Sequence, residues 1–371
     1  MLDPVYAFFR SLVAGIRRGF GLAFAAIVWP FLAVHGWYRD RGLIIKAAVG
    51  GIIVLFLGFN AYFFWQTQRW TGFDPDYVAK YDLAARTTVA GQELPSTTGA
   101  KACQPSAIVD VTADLIKFNV DDNAWISSML AYRAGFFGVD WDNTPFFDNK
   151  ASFQRGINQA VRRTATELVD SLGRVRGTSG INPDLQDARG NMQFDEYSWY
   201  FGLSPFGPKT PTPSYYRAAE KSLRKFNTSL AACGATFDTR ADNFVQFLDR
   251  IASDLGSTSQ ILSDRSETAA RGWFDFRADD RFWFAYGQLY GYYGLLSAAG
   301  ADFSQVIRER NLTQVWAGTL AQTRAALNVQ PWIISNGKED GMFMPSHLST
   351  MGFRILRVRS NLVELRGVLD R

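Results

Sequence analysis

The sequence predicts a mainly α protein: an N-terminal amphipathic or re-entrant helix, one transmembrane helix, and a large α-helical soluble domain. Two observations predict it. Residues Ala47 to Trp65 run for 19 positions without a charged side chain. From residue 104 onward, apolar residues recur at helical rather than strand spacing.

The apolar run comes first because it sets the topology. At about 1.5 Å per residue, roughly 20 residues cross a hydrocarbon core of ~30 Å. Within a helix every backbone group is bonded internally, the condition for sitting in lipid. Tyr62, Phe63, Phe64 and Trp65 crowd one end, where amphipathic rings favour the interface. The run starts too late for a cleavable signal, and the following Phe-Phe-Trp-Gln-Thr-Gln offers no small-residue cleavage site. Residues 43–66 are therefore expected to persist as an anchor.

Charge gives an orientation. Of 39 Lys and Arg and 35 Asp and Glu, six and two respectively precede the span, which leaves 33 of each sign after it. The whole net charge of +4 sits beside the membrane segment, so the basic pI does not point to nucleic acid. Basic residues stay cytoplasmic, so the large domain is expected on the periplasmic side. Residues 19–38 are also uncharged, and Phe8, Phe9, Leu12, Val13, Ile16 and Phe20 before them form an amphipathic pattern. An interfacial or re-entrant segment over 1–38 is favoured. The alternative is a helical hairpin that returns the domain to the cytoplasm and strands Arg39, Arg41 and Lys46 outside.

Residues 67–102 lack apolar periodicity and are expected to be a connector, with 103–371 as the soluble domain. Cys103 and Cys233 are the two cysteines; a disulfide between them is the favoured reading, and two free thiols in a reducing compartment the other. Ile108, Val111, Leu115 and Ile116 mark one helix. Asp121-Asp122-Asn123 is expected to cap a second, carrying Trp125, Met129 and Tyr132. Further helices are predicted over 150–175, 214–232 and 239–263, the last capped by Thr239 or Asp242; 177–199 and 202–214 read as loops. Residues 278–299 place Gly287, Gly291 and Gly294 at a spacing that lets another backbone approach. Their tyrosines argue for a buried central helix over a second span.

Chemistry is sparsely encoded. His347 is the one histidine after the span, with no nucleophile elbow beside it, and reads as a helix-start residue. Zinc ligands are too few, and no Walker loop, dinucleotide fingerprint or EF-hand is present, so no metal, cofactor, nucleotide or nucleic acid is expected. What remains is acids among aromatics: Asp140, Trp141, Asp142, Phe146, Phe147 and Asp148 in one run, Asp195, Glu196, Tyr197, Trp199 and Tyr200 in another. Paired carboxylates beside flat rings suit glycan cleavage, with Asp195 and Glu196 as the catalytic pair. Trp141, Tyr197, Trp199 and Tyr200 are candidate ligand-binding platforms. Capping and core packing explain the same residues without chemistry.

The span followed by an aromatic-rich helical domain, with "TRADNFVQFLDRIASDLGSTSQIL" as the most distinctive run, resembles an uncharacterised family of proteobacterial membrane proteins, a domain of unknown function. The resemblance covers most of the chain after residue 45, and implies an inner-membrane location and no activity. The favoured expectation is a membrane-anchored cell-envelope protein whose helical domain is a non-catalytic binding or assembly module for another envelope protein or component. The alternatives are a carboxylate-based peptidoglycan hydrolase and a lipid-handling protein.

Overall fold

The computed structural model describes residues 17, 21, 24–26, 28–95, 101–135, 139, 141–144, 147–174, 180–203, 205–339 and 341–370. The amphipathic positions Phe8 to Phe20 lie outside them, as do Asp140 and Phe146. The chain divides into two units, Met1–Tyr62 and Phe63–Arg371.

In the first unit, residues 28–39 form helix α1; the chain breaks at 40–42 and resumes as α2, Leu43–Gln68. Ile44, Ile52, Val54 and Leu55 are all exposed. Asn60 turns its amide back to Phe56 O at 2.9 Å, so the one polar side chain mid-helix is bonded within it. By length and composition α2 can cross a membrane, and its bare apolar flank is what lipid would cover.

The second unit is helical apart from one hairpin, among the described residues. Its helices are α3 (Ala107–Lys117), α4 (Leu130–Ala134), α5 (Asn149–Glu167), α6 (Pro183–Met192), α7 (Thr212–Ala231), α8 (Ala241–Thr268), α9 (Ala278–Asp302), α10 (Ser304–Glu309), α11 (Thr313–Ala326) and α12 (His347–Leu369). Strands β1 (Phe201–Leu203) and β2 (Phe206–Pro208) pair antiparallel, Phe201 opposite Pro208. The buried helix predicted over 278–299 is α9, the centre of the core. Its tyrosines are satisfied by long-range acceptors: Tyr286 OH donates to Leu327 O, Tyr290 OH to Asp74 O and Tyr292 OH to Asp254. These bonds remove the penalty that buried hydroxyls would otherwise carry.

Helix α5 lies parallel to α9, with Phe153 beside Gly287 and Ala160 beside Gly291. A Cβ on Gly156 would fall 2.1 Å from Phe284 O, and one on Gly287 2.0 Å from Phe153 O. The glycines thus serve an α–α backbone contact. Helix α8 is antiparallel to α9, with Phe244 beside Phe303 and Asp254 beside Tyr292, and to α12, with Ser259 beside Gly352 and Ser266 beside Ser346. One end of the unit therefore gathers the N-termini of α5, α9 and α12. At the other end, Asp302 accepts from Ser106 Oγ, Ala107 N and Ile108 N and closes the N-terminus of α3. There too Cys103 and Cys233 form a disulfide, Cα atoms 5.2 Å apart, with Cys233 at φ +58°.

Several elements depart from the sequence expectation. The helix expected after Asp121-Asp122-Asn123 is replaced by a π turn, Phe118–Asp122, a 3-10 turn, Ile126–Ser128, and the short α4. Asn123 does not cap; its amide donates to Thr71 O and Phe118 O. Neither Thr239 nor Asp242 caps α8, whose N-cap position is Arg240. The stretch 177–199 holds α6, because Asn182 accepts from Asp184 N and Leu185 N and Pro183 suits the first turn. Within 67–102, Trp70 and Phe73, followed by two 3-10 turns that carry Tyr77, Tyr81 and Leu83, pack against the core, which gives this stretch a packed face.

Candidate functional site

The first turns of α5 and α9 meet side by side, and parallel helices bring two positive dipole ends together. Asp148 precedes α5, and Asp279 and Asp280 open α9. Asp148 is fully buried. No neighbouring side chain donates to its oxygens, and Asp280 is its hydrogen-bond partner. Burial, then the charges of Asp280 and Asp279, push the Asp148 pKa up to about 11, so it holds its proton and donates to Asp280. Ser152 Oγ donates to Asp280 Oδ1 at 2.8 Å and accepts from Arg155 Nη2 at 2.9 Å. Arg155 Nη1 donates to Tyr197 OH at 2.8 Å. A continuous polar chain thus leads from a buried acid to the surface.

That chain lines a cavity of about 310 Å³ formed by Ser152, Arg155, Glu196, Tyr197, Arg277, Asp280, Arg281 and Phe284. Glu196 Oε1 accepts from Asn158 and Arg162, both at 2.9 Å. Arg162 also donates to Met192 O and Phe194 O, so Glu196 is part of the knot that fixes the loop after α6. Chemically the cavity sets the guanidiniums of Arg155, Arg277 and Arg281 beside the carboxylates of Glu196 and Asp280, an arrangement suited to gripping a polar group that both donates and accepts hydrogen bonds.

The predicted site residues scatter. Glu196 and Tyr197 line the cavity; Asp195 is exposed and turns to accept from Tyr197 N. Trp141 is buried, donates to Ala131 O and rests on Phe63 at 4.9 Å, a core contact rather than a platform. Trp199 and Tyr200 lie together at 6.3 Å beside the hairpin, with Tyr200 exposed. The side chain of Asp142 is not described. His347 is half-buried, and its Nδ1 accepts from Ser335 N at 2.9 Å; burial lowers its pKa. Ser152, Arg155, Arg277 and Arg281 gave no signal in sequence, and Asp280 only that of a helix-start acid.

Two other hollows open in the same domain. In a cavity of about 330 Å³, Lys80, Arg224 and Tyr81 all converge on Asp114. An apolar groove of about 640 Å³ follows the C-terminal half of α9, by Leu83, Ala301, Trp316 and Leu320, away from the end that holds Lys150 and Gln66. Among the described residues, no group of three or more His, Cys, Asp or Glu stands in metal-holding geometry.

Fold and site define a class: a mainly α domain with a polar, arginine-lined cavity, preceded by one apolar helix long enough to cross a membrane. Residues 118–271, under half of the chain, match the model of a family described as an uncharacterized protein conserved in bacteria (DUF2333). The run 239–262 that carried the resemblance lies inside the match; α2 lies outside it, so the match brings no membrane location with it. No curated protein and no solved structure matches the chain.

Proposed function

We propose that this chain is a single-span protein of the bacterial inner membrane, with its helical domain on the periplasmic side as a binding or assembly module. The observation that carries the reading is the Cys103–Cys233 bridge, which closes 130 residues of separation and belongs to an oxidising compartment. The basic residues ahead of α2 favour the same side. A binding role is supported by the cavity, whose mixed lining of Arg155, Arg277, Arg281, Glu196 and Asp280 suits a polar group of an envelope partner. Glu196 is engaged with Arg162, which suits holding the site together better than reacting in it.

The test is the redox state in growing cells. Cells are quenched in acid, the chain is unfolded, and free thiols are tagged with a maleimide-polymer before or after reduction. A mobility shift that needs reduction supports the exported domain. A shift of both cysteines without reduction would place them in a reducing compartment, favour the hairpin topology and sink the envelope role. A hydrolase remains the second reading because Glu196 and Asp280 line one cavity. It requires Glu196→Gln and Asp280→Asn each to abolish peptidoglycan turnover by the purified chain.

A further inference from the structure

The last turn of α2 is fastened to the end of the domain where α5, α9 and α12 begin. Lys150 Nζ donates to Gln66 O at 2.9 Å and Arg69 O at 2.5 Å. Its neighbour Asn149 shares a small hollow with Trp273, Phe276, Trp283, Trp332 and Ile333. Trp283 also lies 5.2 Å from Trp70, the second residue beyond α2. Two loops cover this end, one joining α8 to α9 and one leading into α12, bridged at Gly272 and Asn336.

These loops are rigidly built yet turn apolar side chains outward. The Asn336 amide, fully buried, donates to Arg265 O, Ala269 O and Asp275 Oδ2, and Arg265 pairs with Asp275. Ser335 and His347 exchange two bonds, N to Nδ1 and N to O. On this scaffold Trp332 is 98 % exposed, Met342 89 %, Phe343 79 % and Phe274 73 %. Surface apolar residues of this size in one patch mark an interaction surface. Tryptophan and phenylalanine beside basic residues suit a lipid interface in particular, and Arg271, Arg277 and Lys338 stand exposed in the same loops.

We propose that Trp273, Phe274, Trp332, Met342 and Phe343 form a second bilayer contact, seated in the interface of the leaflet that α2 leaves. The proposal rests on α2 crossing the bilayer, so its test reports that reading separately.

The full chain would be reconstituted in vesicles of phosphatidylethanolamine and phosphatidylglycerol, with a nitroxide on one introduced cysteine at a time. The native pair, held as a disulfide, leaves the new thiol as the reactive one. Met342→Cys probes the tip, Glu309→Cys the opposite end and Val54→Cys the middle of α2; all three positions are exposed, so the variants should fold. Accessibility to oxygen relative to a water-soluble nickel complex should be several-fold higher at 342 than at 309, and highest at 54. Equal ratios at 342 and 309 with a lipid-like value at 54 would overturn the tip contact alone and leave the patch to a protein partner. A water-like value at 54 would overturn the anchor and the tip contact together.

Discussion

Replacing Asp148 by asparagine is expected to stabilise the domain at neutral pH, although the site is fully buried. In the folded chain the Asp148 pKa is pushed up to about 11 from an ordinary 3.8, chiefly by burial and then by Asp280 and Asp279. The unfolded chain ionises near the ordinary value, so between the two pH limits folding must take up a proton. Because the folded value is the higher one, the group's contribution is complete below pH 3.8 and is lost as pH rises. The loss runs at ~1.4 kcal/mol per pH unit, which accumulates to roughly 4 kcal/mol by pH 7. An asparagine side chain there keeps the shape, donates an N–H to Asp280 and needs no proton. Urea unfolding of the full chain in detergent micelles, followed by tryptophan emission at several pH values, measures the effect. The two proteins should unfold together near pH 4 and separate progressively toward pH 7, with Asp148→Asn the more stable. Asp148→Ala, which removes the donor to Asp280, should gain less. If Asp148→Asn is the less stable at pH 7, or if the gap does not widen with pH, Asp148 is not the residue that holds the proton.

Gly287→Ala should cost ~1–3 kcal/mol, because the new methyl meets the Phe153 carbonyl and α5 must move away. Gly318→Ala, where nothing lies within 4 Å, should instead be neutral or stabilising by up to ~1 kcal/mol; the urea midpoints of the two variants decide. Asp302, buried at the N-terminus of α3, has a pKa raised to about 6 by burial against the opposing pull of its donors. It is ionised at pH 7, so Asp302→Asn there should cost ~1–3 kcal/mol by turning an amide toward groups that need an acceptor. The folded value again exceeds the ordinary 3.8, so the wild type loses this contribution as pH rises from about 4 through about 6; the variant does not titrate there, so its deficit should be larger at pH 5 than at pH 7.

Sequence alone determined the elements whose cause is local. The run around Ala47–Trp65 is uncharged over the length a membrane needs, and α5, α7 and α8 carry apolar stripes that repeat within each helix, while α9 is apolar nearly all round and buried on every side. The glycine spacing of α9 announced a close neighbour, and Gly287 meets α5. Residues 118–134 were misread because Asn123 is bonded to Thr71, a partner that no local pattern identifies. α6 had a legible cap in Asn182-Pro183, outweighed by the glycines and polar residues around it. Tertiary structure decided the rest. Parallel packing of α5 on α9 sets Asp148 against Asp280 across more than a hundred residues, traps a proton there and aligns Arg155, Arg277 and Arg281 around one cavity. It also decides that Trp141 is core while Trp332 faces outward. Periodicity tells a helix which face to bury within a dozen residues. Which charges share that burial depends on the register between helices, and register is fixed only when the whole core closes.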